Sequence, residues 1–420
     1  MKEGKQTLWT FVVITGAIAS LCLGFLARTR TEMGSLATNK VVGMGVLAST
    51  EKFGETSESE YFYELAELLK QHYVEPIDIN QKMASGAVRG MITSLLDTES
   101  NFYDPDQFKA FLAAQQGEYQ GIGIDLDFRF DQEQLKKLQA GSTEVDSLLL
   151  MPEIIVASVL PGGPAETAGI QPGDEIRVVN GKNIVTGKDI KDLRNLQTAV
   201  TEGKATADQL AEKRKEIEAL IKEVLPSGKV RPALQMGTSG SINLTIRRNK
   251  AAIQKSINKA QFTVEPIIKT LDGLIAVRFF VGAAQKITDL SIDSNTKIDL
   301  RNSGFGNFDA MERLLGHFLP SGSYGGVVSE TGRVARQLNV VTRNTSNPKV
   351  TLLVDQSTVG AAAAFAKILQ SAGAATLQGK LSQDPSWIEI QNLPDGSGYT
   401  LALGKFAPKT ELAQQIKESK

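Results

Sequence analysis

The spacing of apolar positions changes several times along the chain. Residues 8–27 (LWTFVVITGAIASLCLGFLA) are an uncharged run of twenty, long enough to span a bilayer as a helix. Apolar residues then recur at helical spacing in YFYELAELLKQHYV, stop at Pro76 and resume in NQKMASGAVRGMITSLL. That pattern predicts a helical segment over 60–112. SINLTIR, 241–247, alternates apolar and polar residues and predicts a half-buried strand. In the charged stretch 206–224, Leu210, Ile217, Leu220 and Ile221 keep to one stripe, as in a surface helix. From 351 the chain reads TLLVDQSTVGAAAAFAKILQSAGAATLQG. This predicts a buried strand (351–354), a tight turn (355–359), a helix of small residues (360–370) and a second strand (374–378). The turn brings Ser357 and Thr358 to a helix start, where unpaired N–H groups concentrate positive charge. Helix capping is one role for such hydroxyls.

Composition narrows the chemistry. The chain has 420 residues, 41% of them hydrophobic, and a net charge of −1. Bulk charge therefore gives no reason to expect a nucleic-acid partner. The single cysteine, Cys22, excludes an intrachain disulfide, and two histidines leave little material for a metal site or a Ser-His-Asp triad. No metal and no cofactor is expected. Lys2, Lys5, Arg28 and Arg30 flank the apolar run, and the small-residue site Ser35-Leu36-Ala37 lies far behind it. Residues 1–34 are therefore expected to be a transmembrane anchor, retained rather than cleaved as a signal. A polar linker follows at 35–59. The expected location is a cell membrane, crossed once, with the body in the periplasm or another extracytoplasmic space and a tail at 409–420.

PGGPAETAGIQPGDEIRVVNGKNI, 161–184, carries a readable turn chemistry. Pro164 opens a short helix, Gly169 suits its left-handed cap, Pro172-Gly173-Asp174 turns the chain, and Asn180-Gly181 suits a tight hairpin. The stretch looks like the PDZ signature of bacterial proteases. The resemblance implies a PDZ-like domain over 117–247, with a helical insertion at about 200–236. The region 189–237 should hold the usual PDZ helix followed by the long charged helix. A PDZ domain adds an extended peptide to a sheet edge and holds its terminal carboxylate on backbone N–H groups. Gly121, Ile122, Gly123 and Ile124 are the candidate peptide-binding residues, since glycine lets backbone approach a ligand.

The stretch 353–379 is similar to the signature of the C-terminal processing peptidases (tail-specific proteases). Tyr73-Val74-Glu75-Pro76, Ala87-Val88-Arg89-Gly90-Met91 and Leu96-Asp97-Thr98-Glu99-Ser100 resemble the helical motifs of the same family. KIDLRNSGFG, 297–306, resembles its glycine-rich oxyanion turn, with Gly304 and Gly306 as turn residues. The implied fold class is α/β and mixed: an N-terminal helical segment, a PDZ-like β-rich domain, and a mixed α/β peptidase-like core over 262–408. The family uses a Ser–Lys dyad. In gap-free register its serine falls on Gly360 and its lysine on Pro385, and neither can do that chemistry. The expectation is a membrane-anchored pseudoprotease that binds peptide or protein C-termini. Further expected partners are the membrane, through the N-terminal helix, and a second copy or an active homologue, through the helical segment. The alternative is an active processing peptidase with a displaced pair, Ser357 and Lys380.

Overall fold

The computed structural model describes residues 58–409 and 412, apart from 75–82, 96, 98, 141, 143, 270–272, 279–281, 290–291, 330–331, 344–347 and 382–385. Helices α1 (Glu58–His72) and α2 (Ala84–Ser94) come first, then β1 (Asn101–Tyr103), α3 (Pro105–Ala114) and β2 (Glu118–Gly121). A capping box between Asp104 and Gln107, with Pro105 at the first helical position, starts α3.

The β-rich unit follows: β3 (Ile124–Arg129), α4 (Gln132–Gln139), β4 (Glu153–Val159), α5 (Pro164–Thr167), β5 (Glu175–Val179), β6 (Lys182–Asn183), α6 (Gly187–Thr201), α7 (Ala207–Lys222), α8 (Ser227–Gln235), β7 (Ser241–Arg248) and β8 (Ala251–Asn258). Its antiparallel sheet runs β3-β4-β5-β7-β8, so β3 is an edge strand. Inward residues of alternating strands, among them Ile124, Leu126, Ile154, Ile176 and Ile246, fill one core, and Val230 and Leu234 of α8 close it. The helix beside β3 is therefore α8, which follows the charged helix. The sequence placed the usual PDZ helix ahead of it. Instead, α6 and α7 pair as a helical hairpin with a small core of their own, Ile190 and Ile217 against Leu148 and Leu149. Capping boxes start both helices, Thr186 with Asp189 and Thr206 with Gln209. Arg177 of β5 fastens the hairpin by a two-pronged contact to Asp189 at 2.9 Å.

Strand β9 (Ala260–Thr263) pairs with β2 and leads into the last unit. This contains β10 (Ile267–Lys269), β11 (Ile275–Val277), α9 (Ala283–Lys286), β12 (Lys297–Asp299), α10 (Phe308–Leu315), β13 (Gly322–Val328), β14 (Val334–Val340), β15 (Val350–Val354), α11 (Gly360–Ser371), β16 (Ala375–Gly379), β17 (Ser386–Asn392) and β18 (Gly398–Pro408). One sheet runs β10-β11-β12-β15-β16 and is parallel from β11 onward. The other runs β1-β18-β13-β14 with β17 on β18, so β1 ties the N-terminal segment to this unit. Helix α11 is buried nearly throughout, and its alanines let other elements approach closely. The fold class is the mixed α/β arrangement expected.

The single-pass membrane location needs correction. No helix among the described residues is long and apolar enough to cross a membrane. The longest, α7, has 16 residues. It would reach about 24 Å at ~1.5 Å per residue, short of a hydrocarbon layer of roughly 30 Å, and it is charged. The run 8–27 on which that expectation rested lies outside the described residues, as do 35–57 and 413–420.

Candidate functional site

The candidate residues fall in two places. The first is the turn from β15 into α11. Gly360 begins α11 with φ +52°. A Cβ built there would lie 2.2 Å from the Phe305 carbonyl oxygen and 2.7 Å from its Cα. The backbone comes this close because the Ala361 N–H donates to the Phe305 carbonyl at 2.7 Å. A helix start that could attract an anion is thus partly satisfied by a main-chain acceptor. Ser357, one turn earlier, is fully buried. Its hydroxyl donates to Asp355 Oδ1 at 2.5 Å and accepts the Asn302 N–H at 2.9 Å. Thr358 accepts the Asp355 N–H at 3.1 Å. Lys380, just past β16, is exposed to solvent, and Pro385 lies outside the described residues.

The facing turn, 299–307, is committed in the same way. The Arg301 N–H donates to Asp299, the Asn302 N–H to Ser357 and the Phe305 N–H to Asp125 Oδ2 at 3.2 Å. Gly304 and Gly306 give the turn its positive φ values, +72° and +68°. Asp125 sits on β3 and also accepts the Ser158 hydroxyl at 3.0 Å. Burial pushes its carboxyl up from the usual range; Ser158, Arg231 and the Phe305 N–H only partly offset this. Burial, and then the Asp125 charge, pushes the Tyr119 phenol well up. The Val159 N–H donates to Asn302 and Gln356 donates to the Pro172 carbonyl, so the contact between units runs through several polar bonds.

The second site is the groove between β3 and α8. Gly121, Ile122, Gly123 and Ile124 lie together at its closed end and all are buried. The Gly121 N–H donates to the Gly237 carbonyl and the Ile122 N–H to the Leu234 carbonyl, both at 2.9 Å. Two of the amides proposed for a carboxylate thus hold the end of α8. A Cβ at Gly121 would lie 2.2 Å from the Leu234 carbonyl, so only glycine fits under that turn. The Phe262 ring, stacked on Tyr119 at 5.6 Å, covers Gly123. Along the groove, Gln235 Nε2 donates to the Ile124 carbonyl at 2.8 Å and Arg231 donates to the Leu126 carbonyl at 3.3 Å. Arg231 also lies 4.7 Å over the Phe128 ring.

Residues 155–200 match the family model described as PDZ domain, and residues 292–415 match Peptidase family S41. The chain resembles the C-terminal processing peptidases. It is 24% identical over 415 residues to the carboxy-terminal processing protease CtpA of Bacillus subtilis, covering 95% of this chain and 72% of that protein. It is 25% identical over 351 residues to CtpB of the same organism, covering 81% of this chain and 62% of that protein. The solved structure of a photosystem II D1 C-terminal processing protease shares the fold, with a TM-score of 0.53 at 17% identity over 84% of this chain and 83% of that one. At Gly360, the Phe305 backbone fills the space a side chain would need. Sequence reasoning missed Arg231 and Gln235. Their only signal is a four-residue spacing within a segment that Pro226, Gly228 and Pro232 mark as a loop.

Proposed function

We propose that this chain is a PDZ protein on a C-terminal processing peptidase scaffold, binding the free C-termini of peptides or proteins without hydrolysing them. One observation carries the reading: the Phe305 backbone lies 2.2 Å from where a Cβ at Gly360 would sit, the position that the gap-free motif register gives to the nucleophile. A hydroxyl at 360 would have to displace main chain, and the Phe305 N–H, a candidate oxyanion donor, already serves Asp125. The gap-free register also gives position 385 to a proline, which has no amine. The alternative pair gains no support. The Ser357 hydroxyl is buried and has two partners, and Lys380 is solvent-exposed.

Recognition is favoured by the edge strand β3 with a helix beside it, the geometry in which a peptide joins a sheet. Contact through one short strand implies affinity on the order of micromolar. The test uses one labelled decapeptide ending in an apolar residue, made with a free and with an amidated C-terminus. Anisotropy should report saturable binding of the free form and weaker binding of the amide. Equal affinity for the two forms would remove terminus recognition from the account.

A further inference from the structure

Both α8 side chains in the groove occupy positions that a bound peptide would need. The Leu160 N–H donates to the Gly123 carbonyl, so the next residue, Ile124, turns its N–H and carbonyl away from β4. Val156 bonds through its N–H to Asp174 and through its carbonyl to Gly173, so Leu126 opposite it also faces the open edge. A strand added there would donate its N–H groups to the Ile124 and Leu126 carbonyls. Gln235 and Arg231 make those bonds instead. They are four residues apart on one helix face, about 6 Å along the axis. Two residues along a strand cover about 6.6 Å. One helix face therefore matches alternate residues of the strand.

The two latches are not chemically equal. Gln235 is neutral, and once displaced it can bond any acceptor. Arg231 carries a full charge, packs on Phe128, and has a buried Nε that makes no hydrogen bond. Asp125, the nearby carboxylate, already accepts from Ser158 and Phe305. Displaced from the Leu126 carbonyl, the guanidinium would lose its acceptor and keep as counter-charge only Asp125, whose charged form burial disfavours, a costly state. We infer that the groove selects peptides carrying an acidic side chain two residues before the C-terminus, with Arg231 as the residue that reads it. The position follows from register. The last residue bonds Ile124 at the closed end. The residue two before it bonds Leu126 and points to the same side, towards Arg231. This rests on the peptide-binding reading above and adds the class of peptide.

The test measures anisotropy of three labelled decapeptides identical except for Glu, Gln or Lys at the third residue from the end. With the whole protein, the Glu peptide should bind at least about tenfold more tightly than the Gln peptide, as expected for one charge-assisted pair. Arg231→Gln should level the two, and Arg231→Glu should favour Lys. A Glu preference that survives in Arg231→Gln, or no preference in the unaltered protein, overturns the inference while leaving peptide binding intact. If none of the three binds the unaltered protein or a Gln235→Ala variant with one latch removed, the peptide-binding reading itself fails.

Discussion

At the scale of single residues, the decisive feature is a main-chain contact. That Gly360 opens the helix after the 355–359 turn was legible in the sequence. What surrounds it was not, because Phe305 belongs to a distant turn and nothing local announces that its carbonyl bonds Ala361. Gly360→Ala should cost about 2–5 kcal/mol, combining a left-handed backbone with overpacking against Phe305. Urea denaturation would measure it, and a neutral effect would mean the two backbones are not in contact. For the same reason, Gly360→Ser/Pro385→Lys should not install hydrolysis of a peptide library. Appearance of cleavage in that variant would show that the turn can open for a side chain. Ser357→Ala should lose about 1–3 kcal/mol, because the Asn302 N–H is left without its acceptor. Peptide affinity should stay unchanged.

Among the elements, the groove helix is the one the sequence hid. α8 contains Pro232, follows Pro226 and includes Gly228, all poor helix signals. It forms because Val230 and Leu234 are wholly buried in the core of the β-rich unit, and tertiary burial outweighs propensity. The charged helix α7, by contrast, was visible from its stripe, and Ile217 of that stripe is buried as expected. Since α6 and α7 have their own small core, damage there should remain local. Ile217→Ala should remove about 2–4 kcal/mol from the hairpin. Hydrogen exchange should then rise across 187–222 while peptide affinity holds. Loss of binding in that variant would show that the hairpin supports the groove.

For the whole molecule, the sequence revealed three motif-bearing segments in order but not how they meet. One bond of that contact comes from Asp125, which carries no motif and joins the edge strand of the groove to the Phe305 turn. With its carboxyl pushed up by burial, the native state holds this proton to higher pH than the unfolded chain does. Its contribution to stability is therefore present in acid and lost as pH rises through the raised value. Urea midpoints from about pH 4 to about pH 7 should show the unaltered protein losing stability relative to Asp125→Asn as pH rises. Parallel curves would contradict this assignment.

The central claim is recognition without turnover, and one measurement addresses both halves. A single decapeptide with a fluorophore at its N-terminus, a free apolar C-terminus and Glu two residues before it is mixed with excess protein. Anisotropy is followed for a day, and the same sample is then analysed by mass spectrometry. The account predicts a stable rise in anisotropy and an intact peptide. Truncated products that are absent from a protein-free control would contradict it, and their disappearance with Ser357→Ala would identify the hydroxyl responsible.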